Sequence, residues 1–315
     1  MLDFLFVADP LISFKIHKDS TFAMMAEAAQ RGHALWACEP GDLAWSQDGG
    51  VVARCYPVTL TGDAAPWFVE GVISERALRA FDAVLMRKDP PFDAAYLHCT
   101  YLLELAERAG ARVFNRPQAL RDFNEKLAIA RFAELTAATL VSANMARLRR
   151  FHAEQGDIVV KPLDAMGGAS VFRLRADDVN VSAILETITA YGTQTVMAQR
   201  YLPEIVEGDK RILLIDGEAV PYCLARIPAA GETRGNLAAG GTGVARPLTE
   251  HDWLIARTLG PQLKAEGLLL VGLDVIGACL TEVNVTSPTC FREITAQTGF
   301  NVAAMFVAAL EQRCA

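Results

Sequence analysis

The sequence predicts an α/β N-terminal domain followed by two lobes of the α+β class, and three observations lead to this prediction. In the first 120 residues or so, short apolar segments alternate with segments of helical periodicity. From residue 158 onward, apolar segments come in pairs separated by glycine-rich turns, as in antiparallel hairpins. The chain has 315 residues, enough for two or three domains of about 100–200 residues each. We place the domain boundaries so that the three parts are residues 1–121, 122–198 and 199–315.

Strands and helices alternate in the N-terminal part. Asp19 and Ser20 offer an N-cap for a helix whose apolar residues recur at helical spacing until Gly32. A second helix is predicted over residues 96–109, with Gly110 at its C-terminal end. Because strands that alternate with helices form parallel sheets, we expect a parallel sheet covered on both faces. The predicted strands are residues 2–8, 34–38, 83–86 and 112–115.

The pattern changes after residue 121. Residues 124–134 have the spacing of a helix, and strands dominate thereafter. The glycine-rich stretch 228–247 has little apolar content and is predicted to be a long mobile loop. The later predicted strands are residues 158–162, 170–174, 195–202, 211–215, 268–276 and 280–285, the first two and the last two as hairpins.

Composition excludes several classes of protein. The formal net charge is −7 and no basic stripe is visible, so we expect neither a nucleic-acid partner nor binding to an anionic membrane. The seven cysteines include no Cys-x-x-Cys pair, which argues against a disulfide framework and a zinc site and favours a reducing, cytoplasmic compartment. The first residues lack a basic segment, and no apolar run reaches the roughly 18 residues of a transmembrane helix, so neither a signal peptide nor a membrane span is expected.

A lysine followed by adjacent glycines is the first candidate site. Lys161 lies on a predicted strand, and Gly167 and Gly168 lie in the turn after it. Adjacent glycines let backbone N–H groups approach phosphate oxygens closely. The order differs from a Walker A loop, where the lysine follows the glycines and a helix comes next. Taken alone, this stretch fits a flap over a nucleotide and a plain hairpin with a glycine turn equally well.

The late hairpin carries the second candidate site. Asp274, Glu282 and Asn284 alternate with apolar residues, so period-2 patterning places their side chains on one face. Carboxylate and amide oxygens are ligands that suit Mg²⁺. An amphipathic hairpin with a solvated face is the alternative. The three side chains converge only if Asp274 lies opposite Glu282, and we therefore predict a three-residue loop, 277–279, or another odd-length loop with the same pairing.

Other polar residues are candidates only if the fold gathers them. The stretch 197–202 could offer backbone groups to an adenine edge, although an ordinary core strand fits it as well. Asp209 could accept hydrogen bonds from ribose hydroxyls, or could be an exposed loop residue. The basic residues, which singly read as surface charges, are Arg87, Lys88, Lys126, Lys210, Arg211, Arg226 and Arg234.

These motifs, in this order, resemble the bacterial glutathione synthetase family of the ATP-grasp superfamily, over nearly the whole chain. Strings of this length are more specific than a shared fold, because wider ATP-grasp relatives would share only the lysines, the glycine loop and the Asp/Glu/Asn set. The strings are KDSTFAM (18–24), MRKDPPFD (86–93), NRP (115–117), NEKL (124–127), KPL (161–163), GGAS (167–170), PYCLARIP (221–228), GETRGNLAAGG (231–241) and EVNVTSPT (282–289).

The resemblance implies a role for each candidate residue. Thr242 stands where some members carry Arg in Gly-Gly-Arg-Gly, which puts in doubt a transition-state role for that position of the lid, taken as residues 227–246. The implied nucleotide-binding residues are Lys126, Lys161, Gly167, Gly168, Gln199, Arg200, Tyr201, Leu202 and Asp209. The implied metal ligands are Asp274, Glu282 and Asn284, and the implied catalytic residues are Lys161, Arg211 and Arg226. The implied substrate-binding residues are Asp19, Arg87, Arg211, Arg226, Arg234, Asn284, Ser287, Pro288 and Thr289.

The implied reaction joins γ-glutamylcysteine to glycine. The cysteinyl carboxylate attacks the γ-phosphate of ATP, and glycine then displaces phosphate from the acyl phosphate. Mg²⁺, or alternatively Mn²⁺, and the lysines neutralise the charge on the transferred group, and the family suggests a homotetramer. Two alternatives stay open: an ATP-grasp ligase for another amino acid or peptide, such as a D-alanine–D-alanine or glutamate-adding ligase, and a non-catalytic ATP-binding module such as a synapsin.

Overall fold

The structure, a computed structural model, describes residues 1–165, 167–232, 234–237 and 240–315. Its strands form three sheets of eight, four and five strands. Within the described residues, no helix is both long and apolar enough to cross a membrane. The three sheets, in chain order, agree with the predicted fold class, α/β followed by α+β.

The N-terminal sheet has a parallel centre, as predicted. The strands are β1 (Asp3–Val7), β2 (Ala34–Cys38), β3 (Leu43–Ser46), β4 (Gly50–Leu60), β5 (Phe68–Glu70), β6 (Ser74–Ala77), β7 (Ala83–Met86) and β8 (Val113–Phe114). Strands β2, β1, β7 and β8 lie side by side and parallel. Strands β3 to β6 were not predicted. Strands β3, β5 and β6 each pair antiparallel with β4, and β4 extends the sheet by pairing antiparallel with β2. The helices are α1 (Ser20–Gln30), α2 (Ala94–Arg108) and α3 (Pro117–Asp122).

The first helix begins where the sequence predicts. The Asp19 carboxylate accepts a hydrogen bond from the backbone N–H of Phe22 at 2.7 Å, which satisfies one of the free donors of the first turn. The second helix begins at Ala94 rather than at residue 96, because Asp93 caps it in the same way through the N–H of Tyr96.

The helix predicted over residues 124–134 is wrong in type and in start. Residues Leu127–Leu135 form a 3-10 segment that is interrupted at Phe132, where φ is −131°. The Asn124 side chain accepts hydrogen bonds from the N–H groups of Lys126 and Leu127. This local turn replaces the first helical turn, since an Asn side chain offers the backbone an alternative to the helical ladder.

The central sheet is antiparallel throughout, in the order β11-β10-β12-β9. Its strands are β9 (Thr139–Ser142), β10 (Ile158–Pro162), β11 (Phe172–Leu174) and β12 (Val196–Arg200), and its helices are α4 (Met145–Gln155) and α5 (Val181–Ile188). The predicted hairpin around the glycine loop is confirmed as β10 with β11. Leu148, Ile158, Val160 and Leu185 are among the residues of a small separate core that holds the helices on one face of this sheet.

The C-terminal sheet has the order β15-β14-β13-β16-β17. Its strands are β13 (Asp209–Ile215), β14 (Glu218–Ile227), β15 (Thr242–Pro247), β16 (Leu270–Ile276) and β17 (Cys279–Asn284). The remaining helices are α6 (Glu250–Ala265), α7 (Phe291–Thr298) and α8 (Val302–Cys314). The loop predicted over residues 228–247 is too long, because Thr242–Pro247 pairs with β14 as an edge strand.

A buried amide joins the N-terminal sheet to the C-terminal one. Asn115, directly after β8, donates through Nδ2 to the carbonyl oxygens of Leu270 and Val285 at 2.7 Å each. Its Oδ1 accepts from the N–H of Leu270 at 2.9 Å. The three bonds fix the start of β16 and the end of β17, the two strands that carry the predicted metal ligands.

Candidate active site

A cleft between the central and C-terminal sheets gathers most of the predicted residues. It encloses about 180 Å³, and we call it the nucleotide cavity after the role that the resemblance implies for its lining. Its lining includes the predicted residues Lys126, Lys161, Gly167, Gly168, Gln199, Arg200, Tyr201, Leu202, Asp209, Arg211, Arg234, Asp274, Glu282 and Asn284. The fold thus brings residues that are far apart in the sequence to one cavity. Several of them, taken singly, were interpreted as surface charges.

Two buried lysines meet one glutamate in this cavity. The Nζ atoms of Lys126 and Lys161 lie 3.9 and 3.5 Å from Oε1 of Glu282. Lys161 also donates to the carbonyl oxygen of Thr281 at 3.3 Å, and Lys126 donates to that of Ala165. Two buried ammonium groups that share one carboxylate keep an excess of positive charge, which suits phosphate oxygens.

The late hairpin has the predicted pairing but a different turn. Asp274 lies opposite Glu282 and Gly272 opposite Asn284, so the pairing on which the metal hypothesis depends is confirmed. The predicted three-residue loop is wrong: Ile276 pairs with Cys279 across a two-residue turn at Gly277 and Ala278. A bulge between the Val275–Leu280 and Asp274–Glu282 pairs supplies the odd residue, because one extra residue in one strand shifts the register by one.

A buried cluster of two arginines and two aspartates lies beside the hairpin. Arg211 binds the Asp274 carboxylate through Nε and Nη2, and Arg226 Nη2 lies 2.9 Å from the same carboxylate and also contacts Asp209. Burial alone would raise the pKa of Asp274, but the guanidinium groups of Arg211 and Arg226 outweigh it and hold that pKa below its usual range. Burial raises the pKa of Asp209 to about 7, although Arg226 opposes this shift.

Three oxygen-bearing side chains of the hairpin suit a hard cation. The amide of Asn284 donates through Nδ2 to the Gly272 carbonyl at 3.1 Å, which leaves Oδ1 as the atom free to coordinate. Together with the carboxylates of Asp274 and Glu282, it gives an oxygen donor set that fits Mg²⁺, which usually takes one or two carboxylates plus water and phosphate oxygens. Among the residues that the structure describes, no group of three His, Cys, Asp or Glu side chains forms an alternative metal site.

A second cavity of about 200 Å³ adjoins the hairpin, and we call it the substrate cavity. Its lining contains the predicted substrate-binding residues Arg211, Arg226, Asn284, Ser287, Pro288 and Thr289. It also contains Asp89, Glu125 and Cys290, to which the sequence analysis assigned no role. Asp89 accepts a hydrogen bond from the Ser287 hydroxyl, so its place beside a predicted residue of the turn is visible only in the fold.

Asp19 and Arg87 lie outside the lining of both cavities. Asp19 caps α1, and burial raises its pKa. Arg87 is buried and donates to Thr21 Oγ1 at 3.1 Å and to the Pro288 carbonyl at 3.2 Å. Arg87 therefore holds the Ser287–Thr289 turn from behind rather than facing the space that the turn borders.

The far end of the nucleotide cavity is built around a stacked pair. The Arg173 guanidinium lies 3.5 Å above the centre of the Tyr201 ring and is held by both carboxylate oxygens of Asp157. Gln199 donates to the Thr139 hydroxyl at 3.0 Å. The sequence analysis missed Arg173, because a single arginine on a predicted strand gives no signal of this stacking.

The lid reaches the glycine flap. Arg234 Nη1 donates to the Gly168 carbonyl at 3.3 Å, and Asn236 lines both cavities. Thr242 is the first residue of β15 and pairs with Ile227 of β14, so this position belongs to a strand rather than to the loop. Four residues of the predicted flap and lid, Met166, Thr233, Ala238 and Ala239, lie outside the described residues.

Comparison with known proteins identifies the family of the chain. The family model described as prokaryotic glutathione synthetase, N-terminal domain, matches residues 2–121, and the model of its ATP-grasp domain matches residues 125–299. A glutathione synthetase from Ralstonia nicotianae is 62% identical, over 98% of this chain and 95% of that protein. The glutathione synthetase from Nitrosomonas europaea is 59% identical, over 98% of each.

Solved structures share the fold at low sequence identity. D-cycloserine synthetase DcsG has a TM-score of 0.66 and 18% identity, over 99% of this chain and 100% of that chain. The ATP-grasp ligase PsnB, in complex with a minimal precursor, Mg and ADP, has a TM-score of 0.63 and 19% identity, over 99% and 98%. These neighbours establish the ATP-grasp fold of the chain.

Proposed function

Since this chain belongs to the prokaryotic glutathione synthetase family, we propose that ATP and γ-glutamylcysteine bind in its two adjoining cavities and that γ-glutamylcysteine is joined there to glycine. The chain is an ATP-dependent carboxylate–amine ligase, and its products are glutathione, ADP and phosphate. One observation carries the assignment of the site. The two buried lysines and the hairpin carboxylates line the nucleotide cavity, Arg226 lines the substrate cavity, and Arg211 and Asn284 line both.

ATP lies in the nucleotide cavity in this proposal. The adenine contacts the strand end from Gln199 to Leu202, and the phosphates contact Lys126, Lys161 and the flap at Gly167 and Gly168. The positive charge of the lysines supports this orientation, since both contact Glu282, two residues before Asn284, which also lines the substrate cavity. Asp209 lines the cavity within reach of a ribose, and its buried Oδ1 has no described partner.

Mg²⁺, or alternatively Mn²⁺, would bind Asp274, Glu282 and Asn284. The ion would neutralise negative charge on the transferred phosphoryl group. The ligation of Glu282 would also release Lys126 and Lys161 from their present partner, so that both ammonium groups face the phosphates.

The substrate cavity takes γ-glutamylcysteine. Arg211 and Arg226, which line this cavity, and Arg234, which lines the nucleotide cavity, bind carboxylates of the substrate. The Ser287–Thr289 turn borders the acceptor end and is held from behind by Arg87, whereas Asp19 caps α1. The cysteinyl carboxylate attacks the γ-phosphate and ADP leaves. The amine of glycine then forms the amide bond as phosphate departs. Acyl phosphates hydrolyse readily, so a lid that excludes water has a chemical reason.

Three broader features complete the proposal and rest on the family resemblance. Residues 1–121 form the domain on the substrate side, residues 122–198 the lobe with the flap, and residues 199–315 the lobe with the metal site and the lid. The enzyme acts in the cytoplasm and assembles as a homotetramer.

The test is ADP release with γ-glutamylcysteine, with and without glycine, against a panel of other amino acids and dipeptides. We expect sustained ADP release only with γ-glutamylcysteine and glycine together. Faster turnover with another acid or amine would replace the substrate assignment. ATP binding without ADP release on any pair would favour a non-catalytic module.

A further inference from the structure

Glu125 stands where three cavities meet. It lines the nucleotide cavity, the substrate cavity and a third cavity of about 140 Å³ between the N-terminal domain and residues 163–165. Its backbone carbonyl accepts from the N–H of Val283 at 2.8 Å, and its Oε1 accepts from the Thr286 hydroxyl at 2.7 Å. The side chain is therefore held in one place, next to the strand that carries Glu282 and Asn284.

The carboxylate of Glu125 has no cation of its own. In the described part of the chain, no lysine or arginine lies within ion-pair distance of it, and no donor reaches its Oε2. The neighbouring acids differ in this respect: Asp274 holds two arginines, and Glu282 holds two lysines. Burial raises the pKa of Glu125 and the negative charge of Glu282 adds to this effect, against the hydrogen bond from Thr286 and the charges of Arg211 and Lys126, which lie beyond ion-pair distance. A ligand cation at this carboxylate would relieve both costs.

The proposed reaction brings one cation into the substrate cavity. The acceptor amino acid is a zwitterion at neutral pH, and its nitrogen must approach the acyl carbon close to the phosphates. Of the acidic side chains that line the substrate cavity, Asp89 and Glu125, only Glu125 also borders the nucleotide cavity with its lysines. Asp89 already accepts from Ser287.

We propose that Glu125 binds the ammonium group of the acceptor amino acid and orients its nitrogen toward the acyl phosphate. This inference rests on the proposed function, because it needs an acyl phosphate in the adjoining cavity. Thr286 is then a positioning residue, since its hydroxyl fixes Oε1 and leaves Oε2 for the ligand.

The test compares two acceptors in the Glu125→Gln variant. Glycine arrives as an ammonium, whereas hydroxylamine is uncharged at pH 8 and traps acyl phosphates as hydroxamates. We expect the KM for glycine to rise at least about tenfold, because a charge-assisted hydrogen bond is lost. Hydroxamate formation with γ-glutamylcysteine and ATP should stay within about twofold of the parent enzyme.

Two further variants complete the design. Glu134→Gln makes the same change at an exposed residue of the following segment and should leave both reactions unchanged. Glu125→Asp keeps the carboxylate, and we expect it to restore part of the glycine affinity, which also serves if the Gln variant does not fold. Thermal unfolding of each variant checks the fold.

The outcomes separate the inference from the function on which it rests. An unchanged KM for glycine in Glu125→Gln overturns the inference, as does an equal loss of hydroxamate and glutathione, which would place Glu125 on the nucleotide side. A parent enzyme that forms neither product refutes the proposed function itself.

Discussion

Asp274 binds two buried arginines and is also one of the three proposed metal ligands. It is buried, it accepts from both Arg211 and Arg226, and it lies opposite Glu282 in the hairpin. Removing one partner of a buried ion pair leaves an uncompensated charge, which costs about 3–5 kcal/mol. The three predicted metal ligands therefore differ: Asp274 supports the fold as well as the site, whereas Glu282 is partly exposed and Asn284 makes a single described hydrogen bond.

We predict that Glu282→Gln and Asn284→Ala each lower turnover by about two orders of magnitude or more and leave the thermal midpoint nearly unchanged. Glu282→Gln removes a carboxylate charge from the proposed metal site, and Asn284→Ala removes an amide oxygen. The loss of stability stays small because Glu282 is partly exposed and because Lys126 and Lys161 keep their carbonyl partners. Asp274→Asn is the contrasting variant and should lose both activity and stability. ADP release in a Mg²⁺ titration and thermal unfolding measure the two effects. Near-normal rates of the first two variants in saturating Mg²⁺ would contradict the metal assignment.

At the scale of elements, the late hairpin shows what alternation can predict and where it stops. The polar set Asp274, Glu282 and Asn284 was predicted to share a face, and their pairing agrees. The loop length was wrong, because a three-residue loop and a two-residue turn with a bulge place the same residues opposite each other. The two arrangements differ at the turn, where Gly277 has a φ of 58°, and at the bulge.

The edge strand β15 and the buried cluster of arginines and aspartates could not be predicted from local sequence either. Strand β15 contains Gly243, Ala245 and Pro247, which are poor strand formers, and its hydrogen bonds to β14 hold it in place. The buried contacts of Arg211 and Arg226 likewise join strands whose neighbours in the sheet cannot be read from local periodicity. Lys161 and the glycine flap were predicted from the sequence together, because their strand and its turn are adjacent in the chain, whereas Lys126 read singly as a surface charge.

Helix α1 gives a test of whether Asp19 acts on the helix or on the substrate. The resemblance implies substrate binding, but the structure shows an N-cap outside the lining of the two cavities. We predict that Asp19→Ala lowers the free energy of unfolding by about 1 kcal/mol and that Asp19→Ser, which keeps a capping oxygen, restores it. Urea unfolding and the KM for γ-glutamylcysteine are measured together. A raised KM in a fully stable Asp19→Ser variant would show that Asp19 binds the substrate.

At the scale of the whole molecule, flap and lid come from different sheets and meet over the nucleotide cavity. The flap follows β10 of the central sheet, and the lid follows β14 of the C-terminal sheet. Gly168 lets them approach, since a Cβ there would lie 2.7 Å from Asn236 Oδ1 and 3.1 Å from Arg234 Cδ. Gly235 lets the lid rest on its own sheet, since a Cβ there would lie 2.3 Å from the Arg226 carbonyl. In the proposed function, closure over ATP and closure over the acyl phosphate would therefore depend on the same contact.

Two glycines with the same backbone conformation test this coupling. Gly168 and Gly231 have φ of +81° and +80°, so replacement by Ala strains both backbones alike, but only at Gly168 does the added Cβ meet the facing segment. We predict that ADP and γ-glutamylcysteine slow amide exchange over residues 228–243 in the parent and in Gly231→Ala, and much less in Gly168→Ala. Because an open lid admits water to the acyl phosphate, Gly168→Ala should also release more ADP per glutathione formed. Equal exchange and equal coupling in the two variants would show that flap and lid close independently. Slow exchange in the free parent that ligands leave unchanged would show that residues 228–243 form no mobile lid.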